Sequence, residues 1–382
     1  MGKNPEFEFI SFLNNKKRDF DNSIDGKKEG SIKIKKIDGR KLIEIDNIKI
    51  ALDCWDKTAD IIFISHAHMD HIPFISIKAY KKLKQGDLDI KFLCSPITKE
   101  IAESRTKGKF KILEESWLLN HNYDLKDKIE FQDITLKLIE NGHTFGSTSL
   151  LIEGSQTILY TSDFLNGEKE TLRKGLNPIK CDHLILECTY GAPRYKFPPF
   201  KDLITNINSY IKVQLSKKYP VILLCYAFGK SQNLLQYLDN SFNIILERHI
   251  AENTQILEKY GIKFPEWQSY GNFNKNMLAS QNNYVLFLPP YNIFKEPYKT
   301  LVSSGAKVAA LSGKIVNKHF REKFQVDNYF PFSDHCDFYQ LLDFVKRSQP
   351  KCLYLEHGKF NELTYYLNNL LNLFEFNRVK IL

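Results

Sequence analysis

An apolar run, Asp60-Ile61-Ile62-Phe63-Ile64-Ser65, ends in His66, His68, Asp70 and His71, so four potential metal ligands fall within six positions. Such a run reads as a buried strand, where unpaired polar side chains are costly. Held wholly within the strand, His66, His68 and Asp70 would share a face and His71 would point away. A turn after the strand lets the same residues approach two neighbouring centres instead. Neutral imidazole and carboxylate are natural ligands for zinc, and a catalytic zinc site keeps one position open for water. The bland alternative is a polar loop rich in histidine by chance, and the spacing favours metal binding over it.

Other histidines stand in comparable settings. His143 lies in NGHTFGS, just after the alternating segment ITLKLIE, and Asp163 closes the apolar strand TILYTSD. His335 sits in FSDHCDF, and His357 ends CLYLEH just before Gly358. Each occupies a strand end or a turn, where side chains from distant segments converge.

The 382 residues suffice for about two domains, and a composition 43% hydrophobic and 26% charged permits a sizeable core. The segment SIKIKKIDGRKLIEIDNIKIALDC alternates apolar and polar residues, as a meander with one buried face does. Further short strands fit KFLCS, KIEFQD, ITLKLIEN, SLLIEG, TILYTSD and HLILECTY, with a helix over Ile75 to Leu83. From Pro220 the rhythm changes. VILLCYAF, FNIIL, YVLFLPP and KVAALSG alternate with helical stretches over 230–239, 251–260 and 297–304. Fully apolar strands alternating with helices imply a parallel sheet covered on both faces. A helix over Phe338 to Arg347, the strand CLYLEHG and a terminal helix over Asn361 to Phe374 follow. The expected organisation is a polar lead-in over 1–30 containing one short helix, then a β-plus-α domain over 31–191 and 311–382. An inserted α/β domain over 192–310 interrupts it.

The most apolar stretch, Val221 to Phe228, is far too short to span a bilayer, so no membrane partner is expected. The N-terminal MGKNPEFEFI lacks the basic-then-apolar pattern of a signal peptide. Seven scattered cysteines without a C-x-x-C pair read as reduced core thiols, and a cytoplasmic, intracellular setting is expected. Net charge is +9, and residues 192–310 carry 14 Lys/Arg against 7 Asp/Glu, a local excess of +7. That suits a polyanionic partner through phosphate contacts. A merely Lys-rich surface fits the charge equally well.

The strand ending in HAHMDH, followed by NGHTFGS and YTSDF, resembles the metallo-β-lactamase fold. LECTYG with FSDH and EHG makes the resemblance one to the β-CASP nucleases, over about residues 40–360. DCW at 53–55, ECTYGAPRYKFP at 187–198, CYAFGKSQ at 225–232 and FSDHCDF are most similar to DNA-ligase-associated exonucleases. Weaker similarity runs to mRNA 3′-end processing endonucleases and DNA cross-link repair nucleases. The resemblance implies an αββα sandwich with an inserted parallel α/β β-CASP domain. It also implies two zinc ions. His66, His68 and His143 would hold the first, Asp70, His71 and His357 the second, and Asp163 would bridge them. Glu187 and His335 match the acidic and histidine positions of the extra motifs, which with Asp70 makes them the catalytic candidates. Asp53 matches an early structural aspartate, although Trp55 replaces the glycine common there.

Thr189, Tyr190, Arg194 and Lys196 follow Glu187 closely, while Tyr226, Gly229, Lys230 and Ser231 lie where a strand passes into a helix. Backbone N–H groups at such a start, with a lysine nearby, favour a phosphate, although a capped surface helix with a solvated lysine fits as well. Arg194, Lys196, Tyr226 and Lys230 are the substrate-binding candidates. With 28 Phe and 19 Tyr, base stacking is available, though most of these rings belong in a core.

The leading expectation is a zinc-dependent nuclease acting on single-stranded RNA or DNA. It would be an exonuclease in RNA processing or DNA repair, with a DNA ligase/repair or RNA-processing complex as partner. The rival enzyme reading is a small-molecule hydrolase, a thioesterase of the glyoxalase II kind, against which stand the basic insert and the Glu187, His335 and His357 set. A non-catalytic subunit is the third reading, and the full ligand set argues against it. Histidine at 357 is typical of the RNA-processing branches, whereas the ligase-associated resemblance points to DNA.

Overall fold

A computed structural model describes residues 32–119, 124, 126–167, 175–272, 282–323, 326–358, 360–374 and 378–382. The expected lead-in over 1–30 lies outside these residues.

Three sheets organise the chain. The first pairs Lys33–Ile37, Arg40–Ile45 and Ile48–Leu52 as the expected meander, then adds Ile61–Phe63 and Lys91–Leu93 in parallel. The second has seven strands. Ile129–Phe131, Ile134–Glu140, Thr148–Glu153 and Thr157–Tyr160 run antiparallel in turn, and His183–Cys188, Cys352–Gly358 and Arg378–Ile381 continue in parallel.

Alternation dictates how these two sheets meet. In Arg40–Ile45 the buried positions include Ile43 and Ile45, and in Ile134–Glu140 they are Ile134, Leu136 and Leu138. All five join one core with Ile50, Phe63, Leu150, Ile152, Ile158 and Tyr160, so the sheets pack face to face. The outer face of the first sheet is covered by helix Pro96–Arg105 through Ile101 and Ala102. Phe338, Leu341 and Phe344 of helix Phe338–Ser348, with Leu363 and Leu367 of Phe360–Phe374, cover the second. The layers are α, β, β, α, as the resemblance implies.

The third sheet is wholly parallel, in the order Trp267–Ser269, Ile244–Leu246, Val285–Leu288, Val221–Leu224, Lys307–Leu311, Asn328–Phe330. Val221 and Leu223 face one core while Ile222 and Leu224 face another, which accounts for their unbroken apolar sequence. Helix Phe200–Ser216 packs Leu203, Ile207 and Ile211 onto the first of these cores. This sheet's last strand lies beyond residue 310.

Strand direction places the site. Ile134–Glu140, Thr157–Tyr160, His183–Cys188 and Cys352–Gly358 all point the same way, so their C-terminal ends gather at one edge of the sandwich. The end of Ile61–Phe63 joins them there, because the Thr148 N–H donates to the Ser65 carbonyl at 2.9 Å.

Candidate metal centre

The gathered strand ends bring His66, His68, His143 and Asp163 together, with one ligand atom of each lying within 4.8 Å of the others. Their hydrogen bonds fix which nitrogen faces inward. His68 Nε2 lies 3.1 Å from the Phe228 carbonyl and His143 Nδ1 lies 2.9 Å from the Asp334 carbonyl. A carbonyl only accepts, so both nitrogens carry the proton and the opposite ring nitrogens point lone pairs into the cluster. His66 Nδ1 lies 2.9 Å from Ser65 Oγ, a hydroxyl whose own proton goes to Asp53 Oδ2 at 2.8 Å. That hydroxyl therefore accepts from His66.

The result is an electrostatic conflict. His68 Nδ1 stands 3.1 Å from His66 Nε2 and 3.1 Å from His143 Nε2, lone pair against lone pair. Burial first, and neighbouring imidazoles next, hold His66 and His143 well below the ordinary imidazole range, so a proton does not resolve it. Burial and Arg105 bring His68 down to about 4. A cation does resolve it, and three imidazoles plus a carboxylate are a donor set suited to zinc. The residues fit the metal.

His71 is the link to a second group. Its Nδ1 donates to Asp53 Oδ2 at 2.9 Å, which leaves Nε2 facing Asp163 Oδ2 at 3.6 Å and Asp70 Oδ2 at 3.9 Å. Burial opposes a charge on His71, but the Asp163 and Asp53 carboxylates outweigh it and lift the group to about 9. His357 stacks on His71 with ring centroids 5.5 Å apart. The trio Asp70, His71 and His357 is thus looser than the first set, with Asp70 and His357 exposed.

Asp53 is the hub beneath both. It accepts from Ser65 N and Oγ, His71 Nδ1 and the Tyr160 hydroxyl, and these partners, His71 foremost, outweigh its burial and hold it near about 2. Tyr160 in turn accepts from Lys41 Nζ at 2.8 Å. Asp53, Ser162 and His357 all adopt positive φ (52°, 51° and 49°), so part of the chain's backbone strain lies at the site. Gly358 is required, because a Cβ there would lie 2.1 Å from the Cys188 carbonyl oxygen.

Glu187 and His335 meet on the other side of Asp163. His335 Nδ1 donates to Glu187 Oε1 at 3.0 Å, and Asp163, Glu187 and His335 form a second compact group. The loop carrying His335 is anchored by a capping box, in which Asp337 and Gln340 exchange side-chain and backbone hydrogen bonds, both 2.9 Å, at the start of Phe338–Ser348.

Comparison with known proteins follows the same lines. No protein-family model matches the chain. A "Probable DNA ligase" of Opitutus terrae is 28% identical over 314 residues, 80% of this chain and 27% of that protein. "Probable RNase MJ4" of Methanocaldococcus jannaschii is 24% identical over 405 aligned positions, covering 86% of this chain and 92% of that one. "Protein artemis" of Gallus gallus is 30% identical over 207 residues, 50% of this chain and 29% of its own. These similarities accord with the sequence resemblance to the β-CASP family of the metallo-β-lactamase fold. It spans under a third of the ligase and artemis relatives, and nearly the whole of the archaeal one. A solved protein of unknown function from Enterococcus faecalis V583 shares the fold at TM-score 0.57, with 14% identity, covering 89% of this chain and 94% of that chain.

The centre opens onto a cavity of about 840 Å³, lined by His68, Asp70, His143, Asp163, His335 and His357 among others. Tyr226 lines it and is half exposed. Lys230 also lines it, but is buried, donating to the Phe332 carbonyl at 3.2 Å and lying 3.6 Å from Asp334 Oδ2. Arg194 and Lys196 are not among the lining residues. Arg194 grips Glu362 through both carboxylate oxygens at 3.0 and 3.1 Å, and Lys196 lies over the Tyr339 ring at 5.8 Å. Three residues without a signal in the sequence matter here. Phe228 and Asp334 act through backbone carbonyls, which no side chain announces, and Lys41 reads as an ordinary polar position of a meander. Among the described residues no helix is long and apolar enough to cross a membrane.

Proposed function

We propose that the chain is a metal-dependent nuclease that hydrolyses phosphodiester bonds of single-stranded RNA or DNA. The observation that carries this reading is the inward convergence of three imidazole lone pairs on Asp163 at the base of an open cavity. The names of its relatives, an RNase, artemis and a probable DNA ligase, accord with nucleic-acid chemistry. His66, His68, His143 and Asp163 would hold the first zinc, and Asp70, His71 and His357 with Asp163 the second. Bound zinc supplies an acidified water at neutral pH and offsets the charge developing on a phosphodiester. His335 would give its proton to the leaving oxygen, held at Nδ1 by Glu187 so that Nε2 is the donating atom. We assign residues 32–191 and 331–382 to the catalytic sandwich and 192–330 to the insert that covers it, with the boundary past 310 because Asn328–Phe330 pairs with Lys307–Leu311 in the third sheet. Exonuclease action is part of the same reading.

End-labelled single-stranded RNA and DNA, each with a 5′-phosphate or a 5′-hydroxyl, should be shortened by the zinc-loaded protein and not after chelation. Products one nucleotide long mark an exonuclease. No cleavage of any of the four substrates by protein with two bound zinc ions would reject the reading.

A further inference from the structure

Helix Pro96–Arg105 is set by its ends. Ser95 caps the Thr98 N–H at 3.1 Å, Pro96 occupies the first turn, and Thr106 Oγ1 returns to the Ala102 carbonyl at 2.8 Å. Ile101 and Ala102 bury one face, which turns Arg105 towards the metal cavity at the helix's last position. There its Nη1 donates to the carbonyl of Ala67, between His66 and His68, and the guanidinium lies 5.8 Å from the Phe228 ring centroid.

A guanidinium has five donors and a permanent charge. Among the described residues, Arg105 meets one acceptor, and no carboxylate forms an ion pair with it within 4.0 Å. Its surroundings withdraw water, and burial lowers its pKa despite the attraction of Tyr291 and Asp70. A half-hidden, unpaired charge on a cavity wall is costly unless an anion completes it. Arg194, by contrast, is already neutralised by Glu362, and Lys230 by Asp334. Two exposed rings share the cavity with Arg105, Tyr226 at 50% and Tyr291 at 57% exposure. Flat rings open to solvent in a cavity that an unpaired cation also lines suit a nucleotide strand, phosphate on the charge and base on a ring.

We propose that Arg105, with Tyr291 and Tyr226, forms a strand-holding subsite that takes a backbone phosphate and a stacked base of single-stranded nucleic acid, apart from the phosphate being cleaved. This rests on the nuclease reading for the chemistry, but the subsite is a statement about binding and is tested as such.

The test is equilibrium anisotropy of fluorescent single-stranded dT20 and U20 on zinc-loaded full-length protein, across a salt series, with zinc content measured for every variant. Arg105→Met should weaken binding about tenfold and reduce the slope of log affinity against log salt by about 0.7, one phosphate contact. Arg105→Lys should restore the slope. Tyr291→Ala should also weaken binding about tenfold, with the slope kept, because stacking releases no counterions. Zinc content should stay at the wild-type level throughout. A drop in zinc in Arg105→Met would mean that the arginine only braces Ala67, and would overturn the subsite. So would an unchanged slope, or one that Arg105→Lys fails to restore, or a wild type that binds neither strand. If the wild type binds both strands with the expected Arg105 dependence yet cuts neither, the nuclease reading fails and the subsite stands.

Discussion

The Phe228 carbonyl accepts the Nε2–H of His68 at 3.1 Å across 160 residues of sequence. A backbone atom in the turn that follows the third sheet's Val221–Leu224 thereby decides which nitrogen His68 offers to a metal. The Asp334 carbonyl does the same for His143. Ligand orientation in the sandwich is thus held by segments that belong to, or follow, another sheet.

Gly229 makes that contact possible, and its loss should be felt at the metal. Its φ is +88°, and a Cβ there would stand 2.6 Å from Thr144 Cγ2 and 3.3 Å from His68 Nε2. Gly229→Ala should push the Phe228–Gly229 turn off His68 and weaken zinc binding by about 10- to 100-fold, the range for a lost outer partner of a ligand. Competition with a chromogenic chelator measures this. Wild-type affinity in a folded variant would show that the carbonyl is dispensable.

Lys41 should behave as the buried partner of Glu356. Its Nζ is 2.8 Å from Glu356 Oε2 and 2.8 Å from the Tyr160 hydroxyl, with side chains 9% and 1% exposed for the ion pair. Lys41→Met leaves a carboxylate charged and alone in the interior, which costs about 3–5 kcal/mol. Adding Glu356→Gln should recover most of that loss, because the uncompensated charge goes with it. Urea unfolding of the two single variants and the double variant reads the coupling, and strictly additive losses would contradict it.

Glu187 should set the alkaline limb of activity through His335. Burial pulls the His335 pKa down, but the Glu187 and Asp163 carboxylates outweigh it and raise the group above its ordinary 6.5. The protonated, donating form therefore persists to higher pH, and cleavage falls as pH rises through that raised value. Glu187→Gln removes the nearer anion, so the alkaline limb of the kcat profile should move to lower pH. A limb that stays in place, or moves up, would mean that His335 is not the proton donor.

The candidate cluster was legible in the sequence because spacing carries it. Four ligand-type side chains at the end of a buried strand would be costly to bury without a metal to bind, and His143, Asp163 and His357 follow strands whose alternation is plain. The one-sided strands and the parallel sheet were legible too, since periods of two and unbroken apolar runs reflect one-sided and two-sided burial, while the sandwich itself followed from the family resemblance. What stayed hidden acts by other means. Phe228 and Asp334 contribute carbonyls, which every residue has. Arg105 ends a helix, Pro96–Arg105, with little amphipathic contrast, and Lys230 looks solvated in sequence yet is buried against Asp334. The helix Phe200–Ser216 has a plain signal of its own, since Leu203, Ile207 and Ile211 recur every four residues on its buried face, but its polar remainder masks it.

Zinc should bind in two steps that respond differently to pH. In the first set the inward nitrogens of His66, His68 and His143 are already free of protons near neutrality, because burial holds these groups low, His68 at about 4. A first zinc ion has no proton to displace there, and its affinity should be flat above about pH 6 by the usual competition of metal and proton. His71 differs. Its carboxylate neighbours lift it to about 9, so Nε2 holds a proton at pH 7 that must leave before that nitrogen serves a second zinc ion. The second affinity should therefore rise with pH until His71 is deprotonated, at a pH below that value because the first ion offsets Asp163, with up to one proton released. Calorimetry in buffers of different ionisation heat measures the proton directly. His71→Ala should abolish the pH-dependent step and leave the first, whereas His68→Ala should remove the tight step. Two zinc ions binding with one affinity, and one pH dependence, would refute the division of the centre.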